Sequence, residues 1–494
     1  MKGKKMIYGG LPVLGILFCF LYLNRAVVDV AYTDYIRLIN SYLPDVWNPD
    51  KFFVADVLTR IPLNYVERIL NVTFFGYNTV VEMGLGVLGL GASAWVLAGY
   101  CRKHQVSYIW YGMIMLLLFS LNKWEMLTNG TGWVHFTAFA CFYYHYTVLD
   151  RVYRGETKRG DTVRMCVLPF VITLGVAGPY CAVYSAVMVL SCICVAGLRV
   201  FRAGSLKKSS AEVKKWMLFA VCVLIPLFLY IWSNSCTVEE HAGAVDIPLK
   251  TALFDNPGFF LVFFVKSFAS TVLGDECIRN VLAQDWQILL LGGFVIGCYL
   301  LALYLNWKNR IYERTILPLV FLAAGGMNHV LILLSRWIFM KSDYGMSSRY
   351  ALQFQVGIIG IFLTFAFSGR SRMTVFPSKR NEKENAPKER VRKENARQET
   401  AQKRSRMQRK SGWSFVYLVL ALVFVAGSVY TTCCEWKKAP YRKENLIEKR
   451  EAALHYEELT DEELERIFQY KKGPDQIRRA FAILEENKWN VFRE

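Results

Sequence analysis

Residues 351–368 read ALQFQVGIIGIFLTFAFS and residues 413–433 read WSFVYLVLALVFVAGSVYTTC, and neither run holds a charged side chain. Between them lies 369–412, with SKRNEKENAPKERVRKENARQETAQKRSRMQRK at 378–410. Each apolar run is close to the length that crosses ~30 Å of hydrocarbon at ~1.5 Å per helical residue. The segment between them has no aromatic residue after Phe376 and carries 15 Lys and Arg over 370–410. It offers too little apolar surface to fold alone and reads as a disordered, solvated loop, with contact to anionic lipid head groups as the sharper alternative.

Working outward, further apolar runs occupy 6–23, 79–99, 106–121, 133–149, 165–179, 181–198, 216–233, 287–305 and 315–333. Together they predict an all-α polytopic membrane protein with about eleven transmembrane helices. Residues 165–198 read either as one hairpin or as a broken pair around Gly178-Pro179. The basic start (Lys2, Lys4, Lys5) resembles a signal peptide, but no A-x-A-type site follows, so the first run is read as a retained helix.

The net charge of +19 would suggest nucleic acid in a soluble chain. Here it sorts by side. With the N-terminus cytoplasmic, the inner segments hold 33 Lys and Arg and 10 carboxylates, the outer ones 25 and 30. That asymmetry places the C-terminal tail outside the cell and predicts a plasma-membrane location with membrane lipid, not nucleic acid, as surroundings. The expected organisation is a bundle over 1–368 with a first outer loop at 24–78, the basic loop 369–412, a last helix at 413–433 and a helical tail at 434–494.

Most of the 13 cysteines, such as Cys19, Cys141 and Cys298, lie inside apolar runs and read as small hydrophobes. Cys236 and Cys277 fall in one outer loop and form a candidate pair. No Cys/His spacing calls for a metal, and no cofactor is expected.

Ionisable residues are rare in the spans and accumulate in the outward loops. Gly84, Gly86, Gly89 and Gly91 read as close helix packing. The first loop carries Asp29, Asp34, Asp45, Asp50 and Asp56 among aromatics, with helical stretches at Tyr35–Ile39 and Phe52–Leu70 that read as interfacial. A loop of this length with its own helices is usually functional. A partly desolvated carboxylate there suits a general base, against N-capping as the plainer role. The second loop holds Trp124 and Glu125, where aromatic faces beside a carboxylate suit a sugar ring and an aromatic belt is the alternative. Tyr180 follows Gly178-Pro179 in a tight turn. Arg336, Lys341, Arg349 and Tyr350 gather before the tenth span, where a guanidinium fork fits a phosphate. Lys266 interrupts an apolar stretch, Phe259–Leu273, that reads as re-entrant or interface-lying.

These pieces together resemble the GT-C superfamily of multi-spanning glycosyltransferases, in a bacterial-type form. The resemblance rests on Asp29 and Asp34 in the first loop, Trp124-Glu125, Ser348-Arg349-Tyr350 before a late span, and a tail ending Lys488-Trp489-Asn490-Val491-Phe492. It implies inverting transfer of a sugar from a polyprenyl-phosphate donor to a glycan, lipid or protein acceptor on the outer face. Asp34 or Asp29 would be the base; the loop has no adjacent acidic pair, so both stay open. Arg349, Tyr350 and Arg336 would hold the donor phosphate, and Trp124, Glu125 and Tyr180 the substrate. A polysaccharide polymerase or ligase and a transporter or flippase of lipid-linked sugars are the alternatives.

Overall fold

The computed structural model describes residues 2–53, 61–235, 244–368, 389–471 and 473–493, and every regular element among them is helical. The chain opens with α1 (Lys2–Ala26) and the first loop, which contains α2 (Asp34–Tyr42), a 3₁₀ turn at Pro49–Phe53 and α3 (Pro62–Phe75). Then come α4 (Thr79–Lys103), α5 (Tyr108–Leu118), α6 (Trp124–Thr128) and α7 (Trp133–Tyr153). They lead into α8 (Asp161–Phe170), a π-helical stretch at Val171–Ala177, α9 (Cys181–Ala203) and α10 (Leu206–Asn234). The second half comprises α11 (Leu249–Asp255), α12 (Pro257–Ala269), α13 (Asp275–Val281), α14 (Asp285–Lys308), α15 (Leu317–Arg336) and α16 (Ala351–Ser368). The last elements are α17 (Glu389–Leu454), α18 (Asp461–Phe468) and α19 (Pro474–Glu486).

Among the described residues eight stretches are long and apolar enough to cross a membrane, or nine if α11 and α12, bent by 96°, form one broken span. The sequence reading of about eleven differs for identifiable reasons. α5 has only 11 residues, because its apolar run gives way to a 3₁₀ turn at Leu121–Lys123. α7 is long enough, but 17 of its 21 residues are buried. A helix screened from lipid by its neighbours can carry His135, Tyr143 and His145, and those side chains pull its hydropathy down. Residues 165–198 lie within one run of consecutive helical elements, Asp161–Ala203, of 43 residues, about twice the ~20 that one crossing needs. Gly178, with φ +50°, sits within it, and α10 packs against both α8 and α9.

α4 and α7 pack along each other. Gly89 permits the approach: a Cβ there would stand 2.8 Å from the Thr137 amide nitrogen. The last long apolar helix extends well beyond its apolar run at 413–433. α17 runs 66 residues without a break, so the first part of the tail expected at 434–494 is its continuation as far as Leu454. The basic segment expected to be disordered is helical from Glu389 onward; 369–388 lies outside the described residues. So do Asp56 and Cys236. Cys277 is a buried free thiol, its Sγ 3.4 Å from Glu435 Oε1.

Polar contacts gather at two ends of the bundle. At one end Lys103 meets Glu156 at 2.5 Å, Tyr153 donates to the Tyr312 carbonyl at 2.7 Å, and Asp150 joins Thr315. The other end carries the first loop, residues 124–132, 337–350 and the tail. There α19 covers α2, whose Tyr35, Ile36, Leu38, Ile39 and Tyr42 are buried. The apolar face of α2 therefore meets protein.

Candidate functional site

At the loop-bearing end, three segments distant in sequence bring charge together. α6 presents Glu125 in its first turn. Its carboxylate receives two bonds from the turn that precedes α16: Arg349 Nε donates to Oε1 at 2.5 Å and Ser348 Oγ to Oε2 at 3.0 Å. The Arg349 side chain remains 51 % exposed. This bond runs through Nε, and a guanidinium has five N–H donors, so donor capacity remains for an anion.

Asp34 begins α2, where a carboxylate in the first turn favours the helix. Its nearest cation is Arg37, one turn on, at 4.0 Å, and its side chain is 45 % exposed. The charges of both Asp34 and Glu125 act on Arg349. Those of Asp34, Arg336 and Arg349 act on the Tyr180 hydroxyl, and those of Glu125, Arg349 and Asp34 on Tyr32. Burial, then Glu125, pushes the Tyr32 phenol up. Arg336 reaches the hydroxyl of Tyr350, while its Nε is buried with no hydrogen-bond partner among the described residues. Tyr180 lies flat on His135, ring centres 3.9 Å apart. The fold thus brings Asp34, Glu125, Tyr180, Arg336, Arg349 and Tyr350 into one neighbourhood.

Two residues singled out from the sequence are engaged in other contacts. Asp29 accepts from the Thr79 amide (2.8 Å) and hydroxyl (2.9 Å), from Asn490 Nδ2 (2.7 Å) and from Arg493. Its oxygens are taken up in fastening the chain terminus to the head of α4. Asp29→Ala is therefore expected to release the tail, read as faster limited proteolysis around 487–493 with the membrane helices still protected. Trp124 has the Arg442 guanidinium 3.4 Å over its ring. Arg442 also reaches Tyr22, Glu276 and Glu435, so one face of the indole is bolted to α17.

Other charged groups here were not expected to join one network with the residues around Arg349. Lys266, 1 % exposed, binds Asp285 at 2.9 Å, Asp343 at 2.6 Å and Ser342 at 3.3 Å. Arg279 bridges the same two carboxylates at 2.6 and 2.8 Å. This network ties α12, α13 and α14 to the turn that leads to Arg349. Asp275 is raised to about 6 by burial and by the charges of Asp343, Glu276 and Glu125, which marks it as a second acid beside the cluster. Lys123 is fully buried and donates to the Leu118 and Ser120 carbonyls at 2.8 and 2.9 Å, closing the end of α5. The only signal for Lys266 and Lys123 in the sequence was a cation inside or beside an apolar run.

Among the described residues no group of three or more His, Cys, Asp or Glu is placed to hold a metal ion. No family model matches the chain, and no curated protein or solved structure matches it.

Proposed function

We propose that this chain is a multi-pass membrane glycosyltransferase. It moves a sugar from a polyprenyl-phosphate donor to an acceptor hydroxyl at the loop-bearing end of the bundle, with inversion. The supporting observation is that a carboxylate, Asp34, and two guanidiniums, Arg336 and Arg349, all lie close enough for their charges to act on the Tyr180 hydroxyl, with Tyr350 beside Arg336. The buried, unpartnered Arg336 Nε adds a donor suited to an anion.

In this reading Asp34 takes the proton of the acceptor hydroxyl. The acceptor oxygen bonds to the anomeric carbon as the bond from that carbon to the phosphate oxygen breaks, and the lipid phosphate leaves as an anion. Arg349 and Arg336 stabilise the charge that builds on it. Glu125 and Ser348 hold the Arg349 side chain in place, and Asp29 keeps its structural ties. The loop-bearing end is extracytoplasmic, the N-terminus cytoplasmic and the membrane the plasma membrane; the excess of Lys and Arg in the segments at the opposite end supports this. Glycan, lipid or protein remains the acceptor class.

The test uses the full chain in lipid nanodiscs with polyprenyl-phosphate sugars and cell-envelope glycans, reading release of polyprenyl phosphate. Asp34→Asn is expected to slow release by about 10²-fold or more, the usual scale for a general base. Unchanged release in that variant, with Arg349 still required, would instead favour the polymerase or ligase chemistry. Movement of intact donor across the bilayer without cleavage would identify a transporter.

A further inference from the structure

Beneath the first loop, on the other side of α2 from its tail contact, two carboxylates are buried together. Glu67 of α3 is 7 % exposed and Glu82 of α4 is 4 % exposed, and their side chains lie within hydrogen-bond reach of each other. With Asn64, Arg68 and Thr131 they line a cavity of about 20 Å³, room for a single water. Tyr35 donates its hydroxyl to Glu82 Oε2 at 2.8 Å. Space for that bond depends on Gly130, where a Cβ would stand 1.9 Å from the hydroxyl and 2.6 Å from Oε2. Arg68, 5 % exposed, lies over the Tyr42 ring at 3.9 Å. Glu67 Oε1 and Arg68 Nη1 are buried with no hydrogen-bond partner among the described residues.

The charge count does not close. Two ionised carboxylates beside one guanidinium leave an uncompensated negative charge where water is nearly excluded, and desolvation of such a charge is costly. Two carboxyls in contact relieve this by sharing one proton, which both neutralises the site and makes the hydrogen bond between them. We propose that Glu67 and Glu82 together bind one proton, with a water in the adjoining cavity, as a buried proton-binding site that couples α3 to α4.

The titratable and charged groups facing the pair are Tyr35 and Tyr42 from α2, Arg68 from α3, Tyr77 from the turn before α4, and Asp29 further off. Residues 130–133 contribute none. Burial, then the charge of Glu82, raises the Glu67 carboxyl well above its ordinary range. A carboxyl raised by folding stabilises the fold while it keeps its proton. That stability is lost as pH climbs from the unfolded value of ~4.3 through the folded one. The site stands whether or not the chain transfers sugar.

Infrared difference spectra of the full chain in nanodiscs, taken between acid and alkaline pH, provide the test. A protonated-carboxyl C=O band titrating above the ordinary carboxylate range is expected in the wild type. It should vanish in Glu67→Gln and in Glu82→Gln and survive in Glu125→Gln. Where either Gln variant fails to fold, Tyr35→Phe serves instead, and a shift of the band and its midpoint is expected. Absence of such a band in the wild type, or its indifference to these substitutions, overturns the proposal. Thermal stabilisation of the wild type by sodium chloride but not choline chloride at fixed pH, lost in Glu67→Gln, would also overturn it, because a metal cation would then be the occupant.

Discussion

Arg349→Ala is expected to lower sugar transfer by about 10²–10³-fold, the scale seen when one preorganised donor to a developing anion is removed. The loss should fall on kcat more than on KM, because charge on the phosphate grows as the anomeric bond breaks, and an interaction that strengthens only then lowers kcat when lost. Stability should hardly change. The side chain is 51 % exposed, and surface ion pairs contribute little. Lysine should not restore activity. Glu125 grips Arg349 through Nε at 2.5 Å, and a point charge on a flexible stem can hold neither that bond nor a two-pronged contact to phosphate. Glu125→Gln, which keeps an acceptor but loses the charge, is expected to give an intermediate rate. Initial rates at saturating donor, with thermal unfolding followed in parallel, separate these effects. An Arg349→Ala variant at the wild-type rate would remove the phosphate role.

What could be read in the sequence, and what could not, divides along a physical line. Glu125, Arg336 and Arg349 are conspicuous because charge is scarce beside apolar runs, where burying it is expensive. Local periodicity places Asp34 at the head of a helix. Neither signal contains the pairing of Glu125 with Arg349, 224 positions apart, which exists only once α6 and the turn before α16 meet. The same holds for Asp29. An acid beside aromatics looks catalytic until Thr79, Asn490 and Arg493 fold onto it. Nor does the sequence reveal that α3 brings Glu67 against Glu82. The crossing count of about eleven differs from the eight or nine long apolar stretches among the described residues for a related reason. Apolar runs show which segments are long enough to cross, but not which of them face lipid, and α7 is wrapped in protein that its run at 133–149 does not reveal.

The opposite end of the bundle supplies the second large effect. Asp150→Ala is expected to cost about 3 kcal/mol, the lower range for breaking a buried ion pair from one side. Asp150 is fully buried and accepts from Thr315 Oγ1 at 2.7 Å, the Ile316 amide at 2.8 Å and Arg154 Nε at 2.9 Å. The Thr315 hydroxyl in turn meets Tyr100 at 2.7 Å, so one carboxylate joins α4, α7 and the head of α15. Alanine would strand the Ile316 amide and deprive Arg154, whose side chain is 8 % exposed, of one of its two acids, leaving Glu156. Asp150→Asn keeps an acceptor for Thr315 and Ile316 while losing the charge, and should cost about half as much. Unfolding in detergent by heat or denaturant measures both. A loss below about 0.5 kcal/mol, the size of an ordinary surface change, would mean that this carboxylate does not hold the end together. Because Asp150 sits at the other end from Arg349, the folded Asp150→Ala enzyme should transfer at the wild-type rate. The double variant should combine the stability loss of one with the rate loss of the other, without interaction between them.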